Sequence, residues 1–544
     1  NAIAHPCLNN NIIKAFWHCS TFQSSTLNIS ESEEFIFSLG NAKPLSLDGY
    51  DYSINIEPCG ICVCAENEKD LIRGFMTLLD RFGAIDRDEA LAIEIDCCQI
   101  KDKSMIPTRM VHFCIFPETE LWELQRFVRF CGALKFTHIV LEFWGMLQYD
   151  CMKELSWSHA FPKEEIRPII REANDLGLEV IPMFNHWGHA AASRVMYGKH
   201  VVLDQNPALC TYFSEDGWCW DIRKDKVKAL LRQIRNELIE LCGEGSYFHI
   251  GCDEAFNAQS CPLCVKGSHS GQLLKHLNGL SDFVKSRGAR AMMWHDMLLD
   301  KNDPRWKNFV KFGSKESASI LDSLSRDLII CDWQYSYDNM NKKHVHWPTI
   351  SYFADKGLSV AGCPWMNYND MMPMAEHIVN KGGVGLIETT WHRLRGKEWE
   401  KMFMSAGYAA WGSPVSHGVP FERSLRLVGR DMKVKNYLDT VLINNEMAER
   451  IRAAFDAYVF LSYRKKDRKY ANDLMRLIHS NPEYRDIAIW FDEFLTPGES
   501  FKENIERMLD DCKLFTLLIT QRLLEKVTKP RSAEKGCDIH KKND

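Results

Sequence analysis

An α/β chain built on a closed (β/α)8 barrel (TIM barrel), with a small α+β domain before it and a flavodoxin-like α/β domain after it, is predicted by three observations. Eight apolar strand-like runs alternate with amphipathic segments over roughly 300 residues. Ahead of them, two alternating stretches lead into one amphipathic helix. Behind them, a fresh strand–helix–strand pattern begins near Phe455. At 544 residues the chain is too long for one ordinary domain, and its 45% hydrophobic and 26% charged residues describe a soluble globular protein. We divide it at residues 1–105, 106–415, 416–453 and 454–544.

In the first segment, Asp51–Ile56 and Gly60–Ala65 alternate as strands do, and Glu66–Phe82 has helical spacing with Leu71, Phe75, Leu78 and Leu79 on one face. From Arg109 the barrel pattern takes over. Its strands are expected at Met110–Phe116, His138–Trp144, Leu178–Phe184, Tyr247–Cys252, Arg290–Trp294, Leu328–Trp333, Leu358–Cys363 and Val384–Thr389. Helical segments such as Glu118–Leu134, Lys163–Leu176, Lys224–Cys242, Gln272–Ser286 and Pro373–Asn380 lie between them. A doubly wound open sheet would carry a Gly-rich phosphate loop after the first strand, and none follows here. Barrels of this kind do their chemistry at the C-terminal ends of the strands.

The fourth strand ends in SYFHIGCDEAF, so Asp253 and Glu254 stand at a strand exit. Neighbours on a strand point to opposite faces, so both acids reach one pocket only if the chain turns there. Two carboxylates in different environments suit general acid/base work. The pair alone equally fits the acidic start of a helix. HIGCDE resembles the His-x-Gly-Gly-Asp-Glu signature of glycoside hydrolase family 20, the β-N-acetylhexosaminidases, and Cys252 resembles the hexosaminidase D subgroup. The likeness runs from about Gly49 to about Arg426.

That resemblance implies removal of terminal β-linked N-acetylhexosamine, GlcNAc or GalNAc, by a retaining, substrate-assisted mechanism with no cofactor and no metal. Glu254 would be the general acid/base, and Asp253 would orient the 2-acetamido group. Arg109 at the first strand would bind sugar hydroxyls, Glu142 would face the pocket, and His189 matches the Gly-His after the third strand. His186 reads as structural. Trp294, in a segment that also holds Asp296, Trp333, Trp365 and Trp391 recur at strand exits. Any single Trp is ordinarily core, but the repetition suggests a wall for a sugar. Tyr335 and Tyr368 compete to hold the acetyl carbonyl. Cys261 and Cys264 form a CxxC pair with no second pair in place, so no metal is expected.

Residues 421–452 read as a helical connector. FDAYVFLSY, IWFDEFLTPGES and LFTLLIT then resemble a TIR domain, with helices expected at Tyr470–Ile478 and Lys502–Asp511. TIR domains self-associate or cleave NAD. The segment around Glu534 is polar, and the last elements of the fold are missing, so NAD cleavage is not expected. The net charge of -6 gives no footprint for nucleic acid. No apolar run approaches a membrane span, and no signal-peptide pattern stands at the N-terminus. Twenty scattered Cys without framework spacing indicate a reducing, cytoplasmic compartment. Two rivals remain: a TIR signalling protein gated by a sugar-sensing barrel, and a non-catalytic carbohydrate-binding barrel.

Overall fold

The computed structural model describes residues 35–83, 95–116, 119–157, 160–190, 207–214, 217–255, 269–306, 310, 312–335, 347–366, 368–391 and 398–412. It also describes 3–4, 6–9 and 13, and within the C-terminal unit 457–463, 467, 470, 474, 477, 487–490 and 514–520. The chain divides into two compact units, Asn1–Ile451 and Arg452–Asp544.

The first unit opens with an antiparallel sheet ordered β1–β2–β4–β3–β5, from β1 (Ile3–Ala4), β2 (Ile36–Gly40), β3 (Tyr52–Glu57), β4 (Gly60–Ala65) and β5 (Cys98–Asp102). Helix α1 (Glu68–Gly83) buries its Leu71, Phe75 and Leu78. Its Phe75 ring meets Phe37 of the sheet edge to face at 5.2 Å. A fully buried side chain of this kind contributes about 1.5–3 kcal/mol.

All eight expected runs then form the barrel: β6 (Thr108–Cys114), β7 (His138–Glu142), β8 (Glu179–Met183), β9 (Tyr247–His249), β10 (Arg290–Trp294), β11 (Ile329–Trp333), β12 (Ser359–Cys363) and β13 (Gly385–Thr389). Every neighbouring pair is parallel, and β13 closes on β6 with Ile387 opposite Met110. Helices α2 (Leu121–Ala133), α3 (Lys163–Asp175), α4 (Asp225–Cys242), α5 (Ser270–Lys285), α6 (Lys315–Ala318), α7 (Pro348–Asp355), α8 (Tyr368–Asn380) and α9 (Glu398–Trp411) accompany the strands. Between β6, α2 and α9, Phe113 stacks on Phe403 at 5.7 Å, and Phe127 meets Trp399 at 4.7 Å.

The inward stripe includes Met110, Val140, Ile181, Met292, Ile329, Ala361 and Ile387. Side chains alternate along a strand. The same parity therefore carries His112 and Cys114, Glu142, His249, Trp294, Trp333 and Thr389 up the interior toward the C-terminal mouth. This is how a hydrophobic core grades into a polar, aromatic site.

In the second unit, β14 (Ala457–Ser462), β15 (Ile487–Trp490) and β16 (Leu514–Leu517) form a parallel sheet ordered β15–β14–β16, matching the three expected strands. The connector at 421–452, the helix at 502–511, most of that at 470–478, Cys261, Cys264 and Glu534 lie outside the described residues. Among the described residues no helix is long and apolar enough to cross a membrane.

Candidate active site

The turn after β9 sets the two acids. Gly251, Cys252 and Glu254 all take left-handed backbone angles, with φ of 66°, 73° and 48°. Such angles cost a non-glycine residue about 1–3 kcal/mol and persist only where neighbours hold them. Here the hold is explicit. The Glu254 N–H donates to Asp296 Oδ2 at 2.9 Å, and Trp218 Nε1 donates to the Glu254 carbonyl at 2.7 Å. From the loop after β8, Gly188 lies so close that a Cβ there would fall 1.9 Å from the Asp253 carbonyl oxygen.

The result is two carboxylates on one imidazole. His189 Nε2 is 3.3 Å from Asp253 Oδ2 and 3.5 Å from Glu254 Oε2. The Asp253 side chain is 4% exposed and that of Glu254 16%, so Asp253 is the more buried of the two. His189 itself has φ 52°. Its ring lies between Trp218, 4.6 Å away, and Trp144, stacked at 6.1 Å. Burial, then the nearby charge of Asp253, pushes the Asp296 carboxyl well above its ordinary range. Asp296 thus keeps its proton, and the cluster need not hold three negative charges at once.

Beside the acids stands an aromatic group. Trp333 stacks with Tyr335 at 5.5 Å, Tyr335 meets Trp365 at 5.1 Å, and Trp391 Nε1 donates to Tyr335 Oη at 2.7 Å. Trp333, Trp365, Trp391 and Tyr335 are all partly exposed. Burial, with the charge of Asp253 contributing, pushes the Tyr335 phenol well up, so it stays a hydrogen-bond donor. Tyr368 begins α8, and its side chain lies outside the described residues.

Three expected sugar contacts need correction. Arg109 sits at the N-terminal end of β6, opposite Leu386 near the start of β13, and so at the end of the barrel away from the acids. It is buried, donates to the carbonyls of Ile106 and Lys135 at 2.9 and 3.0 Å, and lies 4.6 Å over the Trp411 ring. It lies on the outward face of β6, opposite in parity to Met110, and ties the backbone there. Glu142 does face inward but is fully buried, bound by His112 and Asn185 at 2.9 and 2.7 Å. Trp294 has no exposed surface either; it packs against His249 at 4.2 Å and behind Trp391 at 5.4 Å. Neither presents a face to a ligand.

Two neighbours of the acids escaped the sequence reading. Trp144 closes an apolar run and reads as core. Trp218 comes from a long loop, where the Trp218-Cys219-Trp220 doublet was the only signal.

Residues 140–391 match the glycosyl hydrolase family 20 catalytic domain, and residues 459–539 match the TIR domain. A β-hexosaminidase of Porphyromonas gingivalis is 26% identical over 178 residues, 31% of this chain and 22% of that protein. Hexosaminidase D of Bos taurus is 25% identical over 177 residues, 31% of this chain and 49% of that protein. The aligned segment thus spans less than half the length of either relative. Among solved structures, the exo-β-N-acetylglucosaminidase of Vibrio harveyi superposes with a TM-score of 0.55 at 15% identity, covering 81% of this chain and 74% of that one. One chain thus pairs a region that resembles the glycosyl hydrolase family 20 catalytic domain with a region that resembles the TIR domain.

Proposed function

We propose that the barrel, residues 106–415, hydrolyses terminal β-linked N-acetylhexosamine, GlcNAc or GalNAc, with retention and with help from the substrate's own acetamido group. The observation that carries this reading is the left-handed turn that sets Asp253 and Glu254 against one His189 nitrogen at a strand exit. In the first step Glu254 gives its proton to the glycosidic oxygen while the acetamido carbonyl oxygen bonds to the anomeric carbon and the alcohol leaves. The Asp253 carboxylate, the more buried of the two, accepts the acetamido N–H and balances the positive oxazolinium. In the second step water attacks the anomeric carbon, Glu254 takes its proton, and the acetamido group is released.

Tyr335 is the donor to the acetyl carbonyl in this scheme, because Trp391 already fills one of its acceptor positions. Trp333, Trp365 and Trp391 flank the sugar. His189, Asp296 and Trp218 are positioning residues. The test is hydrolysis of an aryl N-acetyl-β-hexosaminide. Tyr335→Phe is expected to lower kcat/KM by about 10–100-fold, the worth of one hydrogen bond to a charged group; an unchanged value removes Tyr335 from the scheme. Gly188→Ala must displace the Asp253 carbonyl, and a shift of about 1 Å there costs about 10²-fold in turnover. Full turnover by a Gly188→Ala protein would show that Asp253 needs no such placement.

We place the protein in the cytoplasm on its cysteine pattern, and assign the TIR domain to self-association. Leu514, Phe515, Leu517 and Ile519 on and just after β16 are 48–62% exposed, which favours an assembly surface.

A further inference from the structure

Beneath the acids lies a buried polar cluster that this chemistry does not use. His112 and Cys114 on β6 and Glu142 at the end of β7 are fully buried in the barrel interior. Cys114 and Glu142 are direct partners across the β6–β7 ladder, and His112 is two residues back on the same face. Rigid strands, not loops, therefore fix all three. His112 Nε2 is 2.9 Å and Cys114 Sγ 3.5 Å from the same oxygen, Glu142 Oε2. All three donor atoms lie within 4.8 Å of one another.

Small side-chain shifts bring those separations to the spacing of ligands on one ion. Bonds of about 2.0–2.1 Å from imidazole, 2.3 Å from thiolate and 2.0–2.2 Å from carboxylate, at a tetrahedral angle, put the ligand atoms roughly 3.3–3.6 Å apart. The charges also suit one. A fully buried carboxylate needs a countercharge, and among the described residues no Lys or Arg hydrogen-bonds Glu142; its partners are His112, Asn185 and Cys114. A thiolate and a carboxylate together balance a divalent cation while the imidazole stays neutral. As a hydrogen-bond network alone the cluster is not closed, since His112 Nδ1 has no partner among the described residues. Asn185 Nδ2 donates to the other oxygen, Glu142 Oε1, which leaves Oε2 to the ion and supplies an outer support.

We infer that His112, Cys114 and Glu142 bind one divalent transition-metal ion of the zinc or cobalt class in the barrel interior. The mixed N, S and O donor set selects that class over magnesium or calcium. Binding releases the Cys114 thiol proton to solvent as the S–metal bond forms. The site lies close under the turn that carries the acids: Asn185, which donates to Glu142, packs so near Gly251 that a Cβ there would fall 1.8 Å from its Oδ1.

The full chain, produced in cobalt-supplemented medium and desalted, is to be examined for metal content and for its near-ultraviolet spectrum. We expect about one equivalent of cobalt and a thiolate-to-cobalt charge-transfer band. Cys114→Ser should abolish the band, and Glu142→Gln should lower the bound metal at least about tenfold. Cys331→Ser, another interior barrel cysteine, should keep both. Circular dichroism of each variant separates loss of metal from loss of fold. Metal content below about a tenth of an equivalent in the folded wild type would overturn the inference. So would a band that survives Cys114→Ser. None of these readouts depends on hydrolytic activity, so the inference and the proposed function fail separately.

Discussion

Glu254→Gln is expected to lower turnover of an N-acetyl-β-hexosaminide with a poor leaving group by roughly 10²–10⁴-fold. The substitution keeps the side chain's shape and removes the transferable proton. It also leaves the local fold in place, because Asp296 and Trp218 grip the backbone of Glu254 and not its carboxyl. The loss should shrink for aryl substrates whose leaving group departs without protonation. Turnover unchanged on an alkyl glycoside would remove Glu254 from its role.

The second large effect is on stability. Between about pH 6.5 and pH 4 the fold is expected to lose stability as the solution is acidified. Burial pulls His138 and His276 down to about 4, His249 and His295 down to about 3, and His186 well below its ordinary value. The unfolded chain holds protons on these imidazoles below pH 6.5, and the folded chain does not. Each histidine therefore costs stability as the pH falls below that point. Three buried carboxyls work the other way. Burial raises Asp332 to about 7, and Asp296 and Glu388 well above their ordinary values, so the folded chain holds protons there that the unfolded chain has lost. Five histidines against three carboxyls leave the unfolded state ahead in protons among these groups of the described residues, which sets the sign. Urea midpoints measured from pH 7 to pH 5 should fall steadily; a flat or rising series would show that these histidines are charged in the folded protein.

The barrel was legible because parallel strands covered on both faces read as continuous apolar runs, and all eight do. Strand β5 was not, since its exposure alternates between intermediate and exposed and CQIKD has little apolar content. The acids were legible from their place at a strand exit, and Gly251 marked the turn. Arg109 failed for a reason visible in the sequence: it precedes its apolar run, so it stands at the end where such barrels do no chemistry. Glu142 and Trp294 failed on depth. Alternation gives the face a residue points to but not its height in the barrel, and both lie one layer below the partly exposed Trp333, Trp365 and Trp391. Trp218 reaches the acids from the connection between β8 and α4, and no periodicity reports that.

The central claim is that the substrate's own acetamido group, oriented by Asp253, is the nucleophile. It is tested most directly by comparing kcat/KM for a matched pair of aryl glycosides, one the N-acetyl-β-glucosaminide and the other the β-glucoside that carries a hydroxyl at carbon 2. The account predicts ready hydrolysis of the first and at most about a thousandth of that rate for the second, since an intramolecular nucleophile supplies several kcal/mol of the barrier. Comparable rates for the two, or a sugar covalently trapped on Asp253 or Glu254, would contradict it.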